Sequence, residues 1–362
     1  MRQDRHHVYV TGPTGTGRRT FVLNRVEHYA RSQPVARDWV YVYDFSQPAE
    51  PMAISLPPGR GAEFADDMDQ LLEDLQREIR QALESDVFQQ ESSKVAQGLE
   101  ERVGRLWHDV QDAAKQAGFL IQRATTGLSA IPMAPDGRPL SPEELESKTA
   151  AEREALAAES RRVGSMLEEA LRRQSTLQRE VRDKALALRE SAGRAAAARL
   201  ILLLRAGYED EERVQRYLDA MLEDVVAHLD LFLDAPGEES PVAALLRRGD
   251  GEDPFRRYRV NRFVNHRVDS GAPVLFERNP TYYNLMGKVE YRSTLGVAST
   301  DFTLVKPGAI HQANGGFLIL EAEELLRDGA AWAALKRALK SGRARVENLN
   351  EQFGLVPMGT LR

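Results

Sequence analysis

The chain of 362 residues contains no cysteine, which excludes disulfides, thiolate metal ligands and cysteine nucleophiles. It also lacks any apolar run close to the roughly 18 residues that a membrane-spanning helix needs. Its longest apolar stretch, Ala195–Leu204, is interrupted by Arg199. The first residues lack the long apolar core of a signal peptide. We therefore expect a soluble, cytoplasmic protein with no membrane partner.

Excess positive charge is absent as well, since the formal net charge is −6. This balance argues against a generally basic nucleic-acid-binding protein, so we expect no nucleic-acid partner. Only 8 of the 49 basic residues are lysines. A GC-rich genome explains that bias as readily as a binding role, and we draw no function from it.

The middle of the chain lacks aromatic residues from 120 to 207 and proline from 143 to 235. Strong helix formers dominate there, and a large globular core without aromatic side chains would be unusual. The pattern predicts a helical insertion over residues 61–235, an antiparallel helical hairpin or coiled coil. Its small tip, near residues 119–140, is expected to be a short hairpin or an extended segment. The predicted helices cover residues 63–116 with a break near Gln97–Gly98, a segment beginning at Ser141, and residues 209–233.

Two roles fit this insertion equally well. It is either a solvated spacer or an arm that contacts substrate or a neighbouring subunit. The capping box formed by Ser141, Pro142 and Glu144 marks where the long helix is expected to begin. The spacing of apolar residues alone does not separate the two roles.

The first residues have the pattern of a strand, a glycine-rich loop and a helix. An apolar strand is predicted at His7–Val10, a loop at Gly12–Gly17, a helix at Phe21–Ala30 and a second strand at Trp39–Phe45. This is the context of a phosphate-binding loop in a parallel α/β sheet. We expect residues 1–60 and 236–362 to be the two parts of one such domain.

The loop departs from the pattern G-x-x-x-x-G-K-[ST] at its two chemically important positions. Arg18 replaces the lysine, Arg19 replaces the hydroxyl residue that binds Mg²⁺, and Thr20 comes one position too late. The cofactor is therefore expected to be none, or ATP or ADP held weakly. A glycine-rich turn with no phosphate role is the alternative. The candidate site is degenerate and consists of Gly12, Gly15, Gly17, Arg18, Arg19, Thr20 and Glu321.

The second half of a nucleotide site is altered too. A predicted apolar strand ends at Leu320 and is followed by Glu321 and Ala322, where a working ATPase carries Asp-Glu. Alanine cannot act as a base. Glu323 and Glu324 are expected in the first turn of the next helix, where acidic side chains favour the helix dipole.

Three segments carry a resemblance to the AAA+ module of Lon-type proteases. They are GAIHQANGGFLILEAEELL (residues 308–326), NPTYYNLMGKVEY (279–291) and VENLNEQFGLVP (346–357). Together with the helical insertion and the degenerate loop, they resemble the ATP-independent, LonC-type branch. The fold implied is a P-loop-type AAA+ parallel sheet with helices, interrupted by a long coiled-coil insertion.

The resemblance implies a region that gates and delivers unfolded polypeptide to a proteolytic chamber with little or no ATP hydrolysis. It also implies a homo-oligomer, hexameric in the full-length form, with the segment after Asn279 facing a central pore. Tyr282, Tyr283, Leu285 and Met286 are then candidate substrate contacts, or else pack beneath the sheet. The family's Ser-Lys proteolytic domain is expected beyond Arg362, so no residue here is assigned to catalysis, and no metal ligand is assigned.

Other functions stay open at this point. One is a working ATPase of an ATP-dependent Lon-type protease, using Arg18 and one of Glu321, Glu323 or Glu324. Another is a coiled-coil ATPase acting on nucleic acid, although the chain has no LSGG-like signature. A third is a scaffold without polypeptide contact. The isolated His311 is expected to be structural.

Overall fold

A computed structural model describes residues 7–13, 15–48, 50–124, 127–134, 137–233, 253–269, 271–294 and 297–348. Spatial contacts divide the chain into two compact units. The first comprises residues 1–78 and 196–362, and the second comprises residues 79–195. The units are described separately below. The domain boundaries expected after residues 60 and 235 stay a prediction.

The elements that begin in the first part of the chain are one helix, two strands and a longer helix. They are α1 (Arg18–Ala30), β1 (Asp38–Val42), β2 (Met52–Leu56) and α2 (Arg60–Glu84).

The second unit contains the elements that follow in the chain. They are α3 (Asp86–Gln116), β3 (Phe119–Ala124), β4 (Gly127–Pro132), α4 (Pro142–Glu146) and α5 (Ala150–Ala206), of which the last helix also contributes residues to the first unit.

The remaining elements belong to the first unit and are short, apart from two helices. The helices are α6 (Glu212–Ala227), α7 (Asp230–Leu233), α8 (Tyr282–Met286), α9 (Ala309–Gln312), α10 (Ala322–Arg327) and α11 (Gly329–Ser341). The strands are β5 (Asn261–Val264), β6 (Val274–Glu277), β7 (Lys288–Val289), β8 (Arg292–Thr294), β9 (Val297–Ser299), β10 (Val305–Lys306) and β11 (Phe317–Leu320). Two 3-10 turns lie at Arg256–Tyr258 and Phe302–Leu304.

The largest sheet of the first unit is antiparallel, with β1 between β2 and β5. Alternate residues of β1 are buried, as expected when successive side chains point to opposite faces of a sheet. The parallel pairing among the described strands is that of β6 with β11, where Phe276 lies opposite Ile319. The expectation of α/β organisation is met, whereas an extended P-loop parallel sheet is not seen in the described residues.

The prediction of a buried strand at His7–Val10 is wrong. These residues form no strand, and Val8 and Tyr9 are each more than three-quarters exposed. A strand is present where the second one was predicted, but β1 ends at Val42 and not at Phe45. Its two partners are antiparallel, so the parallel arrangement expected there is wrong. Both segments are apolar, as the sequence indicates. Only the second contains a strand, β1, which pairs with β2 and β5.

Asp38 fixes the start of α2 against the antiparallel sheet. Its side chain is fully buried, and its carboxylate accepts hydrogen bonds from the backbone N–H of Gly61 at 3.0 Å and of His266 at 2.7 Å. A buried carboxylate needs such donors, because an unpaired charge away from water is costly. The aspartate thereby joins β1, the first turn of α2 and the residues after β5.

Aromatic rings fill the space beside α2 and α6. Phe64 packs edge-on against Tyr208 with centroids 5.1 Å apart, and Phe45 stacks on Tyr217 at 5.7 Å. Tyr258 is buried and donates a hydrogen bond of 2.7 Å to Asp224. Burial and this carboxylate raise the pKa of the Tyr258 phenol far above its ordinary value. This core thus contains several aromatic side chains, whereas residues 120–207 contain none.

Within the second unit, α3 and α5 run antiparallel. The indole of Trp107 donates to the amide oxygen of Gln174 at 3.0 Å, whereas the earlier Arg102 pairs with the later Glu180 at 3.1 Å. Val110 packs into a buried cluster with Leu167 and Ala170. The predicted hairpin at the tip is present as β3 and β4.

Several helix boundaries differ from the predictions. The first long helical region is interrupted at Ser85, and not near Gln97–Gly98, because the Ser85 hydroxyl accepts from the N–H of Phe88 and caps a new helix. The capping box at Ser141 is confirmed, but it begins only the short α4. The long α5 begins after Thr149, which forms a second capping box with Glu152. The helix predicted at 209–233 is divided into α6 and α7.

Among the described residues, no helix is both long enough and apolar enough to cross a membrane.

Candidate nucleotide-loop site

The glycine-rich loop is closed by its own hydrogen bonds. Gly15 and Gly17 have φ values of 85° and 73°, in the left-handed region that favours glycine. The hydroxyl of Thr16 donates to the carbonyl of Pro13 at 2.9 Å, and the N–H of Phe21 donates to the carbonyl of Gly17 at 3.0 Å. Gly17 precedes α1 and provides no side-chain cap. The loop therefore makes the sharp turn into the helix that the sequence indicates.

Arg18 folds back over the beginning of this loop. A Cβ atom added at Gly12 would lie 3.2 Å from the Arg18 Cδ atom, so the arginine stem occupies the space beside that glycine. Thr20, one position beyond the usual hydroxyl position, is exposed. Arg18 and Arg19, at the start of α1, thus have different surroundings, because Arg19 pairs with Glu321 and does not lie beside Gly12.

Arg19 pairs with the residue that follows β11. One of its Nη atoms lies 2.8 Å from a carboxylate oxygen of Glu321. The guanidinium also lies 5.3 Å from the ring centroid of Phe276, on the neighbouring β6. The side chains of Arg19 and Glu321 are 58% and 40% exposed, so the pair is in contact with water. The structure therefore brings together the two altered halves of the expected site.

The acidic residues after Glu321 have a cationic partner within their own helix. Glu323 and Glu324 lie in the first turn of α10, as predicted from the sequence. Each forms an ion pair of 2.7 Å with Arg327 of the same helix. With Ala322 between them and Glu321, no carboxylate among these residues is positioned as a base beside the loop.

The residues present do not fit a magnesium nucleotide. Arg19 carries only N–H donors at the position where a hydroxyl oxygen would bind the metal. The carboxylate of Glu321, at the second metal-binding position, already accepts from that guanidinium. In the described part of the chain, no group of three or more His, Asp or Glu side chains is arranged to hold a metal ion.

The candidate substrate contacts differ in burial. Tyr282, Leu285 and Met286 on α8 are at most 5% exposed and belong to a cluster with residues of α9, α10 and α11. Tyr283 is half-buried, and its ring lies 5.5 Å from that of Tyr282. The burial favours the packing interpretation for the first three and leaves Tyr283 as the candidate that solvent reaches.

Asp328, which is not among the residues predicted from the sequence, positions α8. Its carboxylate accepts from the N–H of Tyr282 at 3.0 Å and from the N–H groups of Ala330 and Ala331 at the start of α11. The aspartate before the glycine that begins this helix is a recognisable N-cap signal. Its bond to α8 has no local signal in the sequence. Phe276 was missed for the same reason.

His311 is structural, as expected. Its Nδ1 accepts from the N–H of Gly308 at 3.3 Å, and Nε2 lies 3.4 Å from the carbonyl of Ala344. Its ring packs edge-on against Phe263. Burial lowers the pKa of His311 despite the bond to Ala344, which favours the neutral ring.

Comparison with known proteins gives two family matches. The model of the LonB-like AAA domain matches residues 270–362, which include β6, α8, β11 and Glu321. The model of the Lon-like LonC helical domain matches residues 38–71, which include β1, β2 and the start of α2. No curated protein sequence matches the chain. The two family matches support a Lon-related AAA+ module that is LonC-like.

Proposed function

We propose that this chain is a degenerate AAA+ region that gates and delivers unfolded polypeptide to the proteolytic chamber of a Lon-like protease, with little or no ATP hydrolysis. The matches to a Lon-like AAA domain and helical domain support a Lon-family protease region. The observation that carries the finer proposal is the direct pair of Arg19 with Glu321 at 2.8 Å.

This pair places a positive charge where a nucleotide site needs a metal ion. In P-loop ATPases a loop hydroxyl and a carboxylate at a strand end jointly hold Mg²⁺. Here the guanidinium of Arg19 is itself the cation beside Glu321. A divalent ion would have to displace it and then remain next to it.

The relative magnitudes favour exclusion of the metal. Breaking an exposed ion pair costs only about 0–1 kcal/mol. Two like unit charges 4 Å apart repel by about 1 kcal/mol in water and about 4 kcal/mol at an effective dielectric constant of 20. A divalent ion doubles these values, and the half-exposed pair lies between the two limits. An Arg19 guanidinium that stays close therefore offsets the attraction of Glu321 for Mg²⁺, so the two side chains together offer no net negative charge to hold the ion.

The polypeptide contact is assigned to Tyr283. It is the member of the four candidates with accessible surface, and an aromatic ring can contact varied apolar side chains without sequence preference. Under the same proposal the full-length protein is a cytoplasmic homo-hexamer. Residues 61–235 form a coiled-coil insertion in the AAA+ fold.

A binding experiment tests this function. The affinity of the chain for a fluorescently labelled, reduced and alkylated lactalbumin is measured without nucleotide, with ADP and with Mg-ATP. We expect one affinity under all three conditions. We expect weaker binding for Tyr283→Ala and unchanged binding for the control Tyr9→Ala, which removes a tyrosine that is exposed.

Two results would overturn the proposal. Binding that requires Mg-ATP would indicate a working ATPase. Equal binding by the wild type and Tyr283→Ala would remove the assigned contact and favour a scaffold role for this segment.

A further inference from the structure

A surface cavity of about 330 Å³ in the first unit is lined mainly by positive charge. Among the described residues, its charged lining consists of five cations and one acid. Three further carboxylates, those of Asp66, Asp69 and Asp301, pair with lining arginines, so the local balance is 5 − 4 = +1 in a chain of net charge −6. The charged lining residues are Arg256, Arg259, Arg262, Arg292, Lys306 and Asp253. They lie on or beside the first 3-10 turn, β5, β8 and β10, so the sequence does not display them as one basic run.

Three of the arginines are held in place by carboxylates. Arg259 donates from Nε to Asp253 at 3.1 Å and from Nη1 to Asp69 at 2.9 Å. The other two pairs are Arg256 with Asp301 and Arg262 with Asp66. Guanidinium groups fixed in this way present their remaining N–H donors in a defined geometry, which lowers the ordering cost of binding an anion.

Within the described ranges, the other two cations form no close ion pair, although Lys306 interacts with Glu290 at longer range. Neither Arg292 nor Lys306 has a carboxylate within 4 Å in the part of the chain that the structure describes, and both are exposed. The nearby Glu290 pairs with Lys288 instead, at 2.8 Å. The cavity thus combines three arginines that are held in position by carboxylates with two exposed cations, Arg292 and Lys306, that can bind an anion.

We propose that this cavity binds the carboxylate side chains of an acidic polypeptide segment. The planar N–H fork of arginine matches a carboxylate, and the cavity already contains such pairs. Its lining contains no aromatic ring on which a nucleobase would stack. The structural aspartates around it oppose the concentrated charge of a phosphate more than the single charges spread along an acidic chain.

The consequence for function rests on the proposed polypeptide delivery. Acidic segments would be retained at the cavity while apolar segments contact Tyr283, which biases the choice of substrate towards acidic unfolded chains. The binding itself does not depend on that role. The two are therefore tested by different ligands.

The test uses fluorescence anisotropy of a labelled peptide of alternating glutamate and serine, with the glutamine version of the same peptide as its neutral control. We expect the complete chain to bind the glutamate peptide and not the glutamine peptide. Affinity is expected to fall when salt is raised, because the cations are exposed. The variant Arg292→Ala/Lys306→Ala should bind the glutamate peptide roughly tenfold more weakly.

A matched variant controls for the loss of net charge. Arg182→Ala/Lys184→Ala removes the same two charges from the exposed surface of α5 and is expected to leave binding unchanged. Circular dichroism of each variant verifies that it is folded. An equal loss in both variants would contradict the proposal, because binding would then follow total charge.

Two further outcomes would overturn it. One is equal affinity for the glutamate and glutamine peptides. The other is displacement of the peptide by pyrophosphate at concentrations where glutarate has no effect, which would indicate a phosphate site. Because the lactalbumin experiment measures polypeptide contact at Tyr283, its failure would refute delivery and leave this result standing.

Discussion

The guanidinium of Arg19 lies 2.8 Å from the carboxylate of Glu321, although these residues come from opposite ends of the chain. The contact joins the start of α1 to the residue after β11, beside Phe276 of β6. In the sequence, each residue alone indicates one altered half of a nucleotide site. In contact, they neutralise each other, so the carboxylate of Glu321 already has a cationic partner.

The pair is expected to contribute little to stability. Because both side chains are about half exposed, a double-mutant cycle with Arg19→Met and Glu321→Gln should give a coupling energy of about 1 kcal/mol or less. Urea unfolding of the wild type, both single variants and the double variant measures it. A coupling of several kcal/mol would show that the pair is an essential structural contact.

Two helical glycines should respond in opposite directions to alanine. A Cβ atom at Gly61 would lie 2.8 Å from both Asp38 Cβ and Asn265 Oδ1, so Gly61→Ala should destabilise the protein by about 1–3 kcal/mol. A Cβ atom at Gly98 in α3 meets nothing within 4 Å, so Gly98→Ala should stabilise by about 0.5–1 kcal/mol. Thermal unfolding compares them. Equal effects would contradict the close approach of Gly61 to Asp38.

Alanine variants of Leu285 and Tyr283 should distinguish a residue that packs in the core from a residue that contacts the polypeptide. Leu285 is fully buried, and Leu285→Ala is expected to lower the free energy of unfolding by about 2–5 kcal/mol. Tyr283→Ala, at a half-buried position of the same helix, should cost clearly less and should weaken polypeptide binding. Denaturant unfolding and lactalbumin binding are measured on both variants. A larger loss of stability for Tyr283→Ala would assign it to the core.

Glu144 should titrate at low pH. The hydrogen bond from Arg138, followed by that from the N–H of Ser141, holds its pKa at about 2, below the ordinary value of 4.5. Its contribution to folding is therefore complete above the ordinary pKa and is lost as pH falls towards about 2. Carboxyl NMR titration measures this value, and Arg138→Ala should raise it. No change in that variant would refute the assigned cause.

The sequence predicted features that depend on neighbouring residues. The capping box at Ser141, the strand that ends at Leu320 and the hairpin at the tip of the second unit follow from local signals, and all are present. The acidic first turn of α10 was predicted for the same reason.

Features that depend on distant partners were not predictable. The apolar pattern at Val8–Val10 favours a strand, but strand formation needs a neighbour, and the structure leaves this segment unpaired and exposed. The antiparallel pairing of β1 depends on β2 and on the remote β5. Three cations of the basic cavity, Arg256, Arg259 and Arg262, lie in one arginine-rich run, but the sequence does not show that Arg292 and Lys306 join them.

The most direct measurement is isothermal calorimetry of the complete chain with ATP, with and without Mg²⁺. We expect no Mg²⁺-dependent binding at millimolar ATP, because the carboxylate of Glu321 already pairs with the guanidinium of Arg19. The variant Glu321→Gln should behave identically. Tight binding that requires Mg²⁺ and is lost in Glu321→Gln would contradict the account and establish a working nucleotide site.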